Sequence, residues 1–250
     1  MKRFKIFISR QDNFFDAALK MKEISKIKTE IIYIEDFVNH NLYNEVNDKD
    51  MVYFLCNGEK VVKVLEKISN SKCFVFNSKF LLSKTKKSQT QKMAFESGLN
   101  VPNIIKLSEI TDKNLPIFCK EDSHTGLVFQ AYTMNTINKF FERFEKDQFY
   151  LEEAIINKNS FEEIKAYYAN GQTYLKDNEK LTDEKICDIC EIISKKLYSI
   201  ELFSVDLMKR ESDYYVIDIN TAPGFYSSTK ARVHFINSMI NIYEENEYQL

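Results

Sequence analysis

Three oxygen-bearing side chains near the C-terminus, Asp206, Asp218 and Asn220, have the types and spacing to hold a cation. They lie in FSVDLMKRESDYYVIDIN, where two strand-length apolar runs flank the polar break Arg210-Glu211-Ser212-Asp213. The pattern reads as a β-hairpin, and side chains alternate between faces along each strand. With the turn centred near Ser212, Asp206 stands opposite or nearly opposite Asp218. Val205, Leu207, Ile217 and Ile219 then share a buried face, while Asp206, Asp218 and Asn220 share the other. Carboxylates set as cross-strand neighbours repel one another. A cation between them, or a proton on one, relieves that repulsion. Oxygen ligands without His or Cys favour a hard cation, and Mg²⁺ completes its shell with water and phosphate oxygens. A solvated strand face with incidental acids is the competing reading. The Asn-Thr-Ala-Pro-Gly that follows favours the cation, because Pro223-Gly224 fixes a turn beside the acids and leaves backbone open to a ligand.

The elements that must position this hairpin have two textures. In residues 1–76, the runs FKIFIS, EIIYIE, MVYFLC and KCFVFN alternate with the helix-spaced segments DNFFDAALKMKEIS and NGEKVVKVLEKISN. Such alternation predicts a small, mostly parallel open sheet with right-handed crossovers. Residues 79–97 read as a helix, with Ser88 a cap inside it and Gly98 its stop. Pro102 then pushes Val101 to extended conformations. Beyond Pro102, strands are predicted at 103–107, 116–120, 127–132, 148–155, 161–168 and 172–175, with a helix at 136–146. Their short connections suggest antiparallel pairing. A helix at 183–198, the hairpin strands at 202–209 and 213–220, and a helix at 228–243 complete the chain.

Composition excludes several classes. A chain of 250 residues with 44% hydrophobic residues supports a sizeable core and argues against general disorder. A net charge of −2 gives no nucleic-acid footprint by itself, although a local basic patch stays open. The apolar run of MKRFKIFISR is too short for a signal peptide, and no stretch is long enough to span a membrane. Five cysteines, odd in number and set in apolar runs, argue for reduced thiols in a cytoplasmic protein. Cys187 and Cys190 form a CxxC, but Ile186, Ile189, Cys190, Ile193 and Leu197 are spaced as a buried helical stripe. A structural zinc site wants four ligands, and His40, His124 and His234 are scattered. Without a Gly-x-Ser-x-Gly there is little support for a hydrolase.

The hairpin and its turn, VDLM…YYVIDINTAPGF, resemble the metal-binding end of ATP-grasp ligases, most of all the RimK-like and glutathione-synthetase-like branch. The preceding segments follow the family's order. NSKFLLSKTKKSQTQKMAFESGLNVP resembles the helix leading into the nucleotide site, and PIFCKEDSHTGLVF the strand with a phosphate-binding lysine and its loop. FYLEEAI resembles the hinge strand that meets adenine, and EEIKAYYANGQ the strand with the ribose contact. The resemblance implies an α/β (α+β) ATP-grasp fold: a small parallel N-terminal lobe at 1–77, a central lobe with phosphate loop and lid at 78–147, and a C-terminal lobe with adenine hinge and metal site at 148–250. The two later lobes would clamp ATP between antiparallel sheets.

The resemblance also implies roles. Lys87 and Lys120 would contact ATP phosphates, although the run Lys84-Thr85-Lys86-Lys87 also suits a solvated helix face. Glu152, Glu153, Ala154 and Ile155 would line the adenine pocket, only one of the two acids pointing inward. Glu163 would hold the ribose, and Lys165 would face the transferred phosphoryl group. Asp206, Asp218 and Asn220 would hold one or two Mg²⁺ ions, with Mn²⁺ as a substitute. Arg232 and Lys230 would meet a carboxylate or phosphate, though a basic helix start is equally ordinary. His124 reads as an exposed loop histidine. The implied reaction is ADP-forming ligation of a small-molecule or peptide carboxylate to an amine-type or thiol nucleophile, in a cytoplasmic protein that contacts neither nucleic acid nor membrane and has a homodimer open to it. A kinase, a nucleotide-binding regulatory module and a metal-bound structural hairpin are the alternatives. Three departures stand out: Lys86 where the family often has Asp, Gly126 as the one glycine of EDSHTG, and a short DNEKLTDEK where RimK-like enzymes carry a longer basic stretch.

Overall fold

The computed structural model describes residues 2–11, 14–69, 71–83, 86–123, 126–156, 163–175, 183–197, 199–223 and 229–247. Gly224, Tyr226, Ser227, Ser228 and His124, and the first two residues of the strand expected at 161–168, lie outside them. The chain divides into two compact units, Met1–Thr85 with Lys165–Val205 and Ile219–Leu250, and Lys86–Ile164 with Asp206–Asp218.

The first unit begins with β1 (Arg3–Ile8), α1 (Phe15–Ser25), β2 (Thr29–Tyr33), α2 (Ile34–Asn39), β3 (Asp50–Phe54), α3 (Glu59–Ile68), β4 (Phe74–Val75) and α4 (Ser78–Leu82). The four strands form the expected parallel sheet, in the order β2-β1-β3-β4. Helices on both faces of a parallel sheet bury both sides of its strands. Phe4, Ile6 and Ile8 of β1 therefore pack in one cluster with Ala18 and Met21 of α1. Phe7 packs in another with Phe37 of α2 and Val64 and Leu65 of α3. The pattern of EIIYIE predicts a strand throughout, but the chain turns into α2 at Ile34, whose side chain joins the second cluster.

The second unit holds α5 (Lys87–Glu96), β5 (Ile104–Ile105), β6 (Ile117–Glu121), β7 (Val128–Ala131), α6 (Met134–Phe141) and β8 (Phe149–Glu153). Its antiparallel sheet has the order β5-β8-β6-β7. The helix expected over 79–97 is two helices, α4 and α5. Gly98 does end α5, at φ 89°, a left-handed conformation that glycine adopts without steric cost. α6 starts earlier than expected, because the Thr133 hydroxyl accepts the Thr136 N–H and caps it.

The chain then runs through β9 (Glu163–Ala169), β10 (Gln172–Leu175), α7 (Glu184–Lys196), β11 (Leu202–Arg210), β12 (Asp213–Asn220) and α8 (Thr229–Glu247). A third sheet has the order β10-β9-β11-β12, and β9, β11 and β12 each contribute residues to both units. Phe235 and Met239 of α8 belong to the same cluster as Phe4 and Met21. The CxxC lies on α7 as a packing stripe: Ile186, Cys190 and Ile193 are buried, and burial pushes the Cys190 thiol up to about 12. None of the five cysteines forms a disulfide. Among the described residues no helix is long and apolar enough to cross a membrane.

Asn77 ties segments of the first unit that are far apart in sequence. Its amide nitrogen donates to the Leu202 carbonyl at 2.6 Å, and its oxygen accepts from the Glu201 and Leu202 N–H groups at 3.1 and 3.3 Å. Its φ of 56° is left-handed, which Asn tolerates better than other side chains. Asn77→Ala removes the bonds and adds strain, so it should destabilise folding by about 2–4 kcal/mol. Asn77→Gly loses the bonds without the strain and should cost about 1 kcal/mol less. Urea unfolding of the two variants checks this; an Ala variant as stable as the Gly variant would contradict it.

Candidate active site: a cavity in the second unit

Alternation in β6 builds the site. Ile117 and Cys119 face the apolar cluster with Ala131, Ile137, Phe140 and Leu151. Phe118 and Lys120, one step out of phase, line a cavity of about 390 Å³. Phe118 pairs with Gln130 on one side and Glu152 on the other, and both line the same cavity. Val128, Ile155, Met208 and Ile217 add apolar lining; Lys87, Glu153, Glu163, Asp206 and Asp218 add charge. Every one of these residues belongs to the second unit.

Of the two adjacent acids on β8, Glu152 is the inward one. It is 1% exposed and forms a close ion pair with Lys120. Glu152 lies opposite Phe118, so the two charges are diagonal cross-strand neighbours. The other Glu152 carboxylate oxygen accepts from Gln91 Nε2 at 3.0 Å. The Lys120 ammonium also donates to the Ile217 carbonyl at 3.2 Å. Burial pushes the Glu152 carboxyl above its usual range and Asp218 adds to that, while Lys120 and Gln91 pull it down. Glu153 also lines the cavity, with Arg210 at 3.8 Å. Ala154 sends its N–H to the Pro116 carbonyl at 3.3 Å.

Lys87 opens α5, and its ammonium lies 3.2 Å from Asp218. Asp206 and Asp218 line one cavity, as the hairpin pattern requires. Ile217 departs from that pattern: it was expected on the buried face with Val205, Leu207 and Ile219, but it lines the cavity beside Asp218. Among the described residues no three His, Cys, Asp or Glu side chains converge to hold a metal ion. Two acids beside an ammonium do fit a hard cation held largely by oxygens from outside the protein.

Lys165, Asn220 and Arg232 belong to the first unit. Asn220 uses its side-chain oxygen to accept the Ala222 N–H at 2.8 Å. Arg232, on α8, is 5% exposed, and burial lowers its proton affinity while Tyr167 opposes that effect.

Some participants were not visible in the sequence. Asp122 accepts from the Ser88 N–H at 2.9 Å and hydroxyl at 2.7 Å, so an acid from the β6–β7 loop satisfies the start of α5. Gly126 is needed for close approach rather than for freedom of φ: a Cβ there would sit 2.5 Å from Glu121 Cβ and 2.7 Å from Ser123 Oγ. In the sequence, Gln91 is marked only as part of a helical run. The one sequence signal for it was a polar residue on the face of α5 that also carries buried Thr90 and Ala94.

No family model matches the chain. A D-alanine–D-alanine ligase of Petrotoga mobilis (strain DSM 10674 / SJ95) is 35% identical over 74 residues, which are 28% of this chain and only 24% of that ligase. The D-alanine–D-alanine ligase of Bacillus anthracis complexed with ATP has a TM-score of 0.67 and 17% identity, covering 97% of this chain and 98% of that one. The ATP-grasp ligase PsnB, complexed with a minimal precursor, Mg and ADP, has a TM-score of 0.66 and 10% identity, covering 96% and 98%. The chain has the fold of these ATP-grasp ligases.

Two predictions follow from the buried pair and the tight loop. Lys120→Met leaves Glu152 buried without a counter-charge and should cost about 3–5 kcal/mol near neutral pH. Loss of Lys120 raises the Glu152 carboxyl further above its unfolded value of 4.5, so the native state binds the proton more tightly. Stability is then retained at low pH and falls as pH rises through the raised value. Urea unfolding should show a larger loss at pH 8 than at pH 5, and Lys120→Met with Glu152→Leu should recover most of it. Gly126→Ala should cost about 1–3 kcal/mol through overpacking against Glu121 and Ser123. An unchanged urea midpoint for Gly126→Ala would show that the loop opens freely.

Proposed function

We propose that this chain is an ATP- and Mg²⁺-dependent carboxylate–amine ligase that releases ADP and phosphate. The observation that carries the reading is one cavity that combines apolar lining from Phe118, Val128, Ile155, Met208 and Ile217 with charge from Lys87, Lys120, Glu152, Glu153, Glu163, Asp206 and Asp218. Apolar lining suits a purine, and lysines with aspartates suit a triphosphate with its cation. The ATP-grasp fold and the ligases that share it support the same reading. The RimK-like branch and the three-lobe division at 77/78 and 147/148 belong to this proposal.

In the proposed reaction, a substrate carboxylate oxygen attacks the γ-phosphorus of ATP and the bond to the β–γ bridging oxygen breaks, giving an acyl phosphate and ADP. An amine then attacks the acyl carbon, phosphate leaves, and the amine loses a proton as the amide forms. Lys87 and Lys120 neutralise phosphate charge, and Glu163 takes the ribose hydroxyls. When bound, Mg²⁺ would supply further charge neutralisation at the phosphate oxygens, with Asp206 and Asp218 to hold it and Asn220 assigned to it on the resemblance alone. On the resemblance alone, we assign Lys165 to the transferred phosphoryl group and Arg232 to an anionic substrate group.

Screening paired carboxylic acids and amines for ADP and phosphate tests the proposal. ADP release should require both partners, and Asp218→Ala should lower it at least about a hundredfold without unfolding the chain. Wild-type turnover in that variant would refute the metal assignment. A stable phosphoester formed from a hydroxyl substrate would make the protein a kinase. ATP binding without turnover across a broad screen would make it a nucleotide-binding module.

A further inference from the structure

We infer that Gln91 is a positioning residue for the phosphate-binding lysine, acting through Glu152, a role that rests on the nucleotide reading of the cavity. Gln91 lies on α5 and is 7% exposed. Its single Nε2 group donates to two acceptors, the Pro102 carbonyl at 3.2 Å and Glu152 Oε2 at 3.0 Å. Glu152 Oε1 is left for Lys120, whose ammonium also reaches the Ile217 carbonyl. One chain of polar contacts thus runs from α5 through β8 and β6 to β12.

The energetics of Gln91 argue for this role over a packing role. Its Oε1 is buried with no hydrogen-bond partner among the described residues. A buried acceptor without a partner is destabilising, and an apolar side chain of similar volume avoids that cost. What the amide supplies, and a methionine does not, is a neutral donor for the second Glu152 oxygen. A cation in its place would compete with Lys120 for the carboxylate. Without any donor, both oxygens turn to the ammonium and draw it towards β8, away from an incoming phosphate. The other charged or titratable groups around this assembly include Asp218 on β12, Asp206 on β11, Glu163 on β9, and Glu153 and Tyr150 on β8 itself, with Lys87 on α5 held by Asp218. Asp218 is an acceptor, Lys87 is engaged with it, and the donor that reaches the second Glu152 oxygen is the Gln91 amide rather than the Tyr150 hydroxyl.

Calorimetric titration of the full chain with ATP plus Mg²⁺, and separately with adenosine, tests the inference. Gln91→Met should weaken ATP binding about tenfold and leave adenosine binding unchanged, since adenosine carries no phosphate for Lys120 to meet. Gln91→Leu serves as the second variant should Gln91→Met fail to fold. Equal weakening of both ligands would mean that Gln91 only supports the fold, and the inference would be wrong. Unchanged ATP affinity would overturn it as well. A wild-type chain that binds neither ligand would instead refute the nucleotide reading on which the inference rests.

Discussion

Burying the Glu152 carboxylate is the constraint on which the site depends. A carboxylate taken out of water must be paired and hydrogen-bonded or give up its charge. At 1% exposure, Glu152 meets that demand with one cation and one neutral donor, Lys120 and Gln91. Those partners come from different elements, so satisfying one acid fixes the mutual positions of α5, β6 and β8. The Lys120 contact with the Ile217 carbonyl extends the same constraint to β12. The lysine that the fold needs for charge balance is also the lysine proposed to meet phosphate.

The pair Lys87–Asp218 repeats this logic at lower burial. Each proposed phosphate lysine is paired with an acid, Lys87 with Asp218 and Lys120 with Glu152. On the proposed reading, phosphate oxygens would take the lysines and a cation would be held by the aspartate. Neither component alone offers the full exchange. The cavity therefore favours the nucleotide and its metal ion as a unit, on the proposed reading.

Much of the scaffold was legible because it rests on local rules. The β11–β12 hairpin was clear from apolar runs and a polar break, and the parallel sheet from alternating periods. Gly98 was clear because a left-handed helix stop has few other solutions. Where competing local signals met, the reading failed. EIIYIE has β-branched content throughout, yet packing of Ile34 and Phe37 under the sheet draws its end into α2. Ile217 is half-buried rather than part of the core, and its carbonyl meets the Lys120 ammonium at the cavity. Gln91 and Asp122 were opaque for another reason. Their partners, Glu152 and Ser88, lie 61 and 34 residues away in sequence. No pattern within α5 or the EDS run announces such a contact.

The most direct test of the account is a crystal structure of the chain with a non-hydrolysable ATP analogue and Mg²⁺. The account predicts the triphosphate in the second-unit cavity, touching Lys87 and Lys120. A metal ion should lie against Asp206 and Asp218, with Glu152 still held by Gln91. A cavity without nucleotide at saturating analogue, or a triphosphate bound away from both lysines, would contradict it.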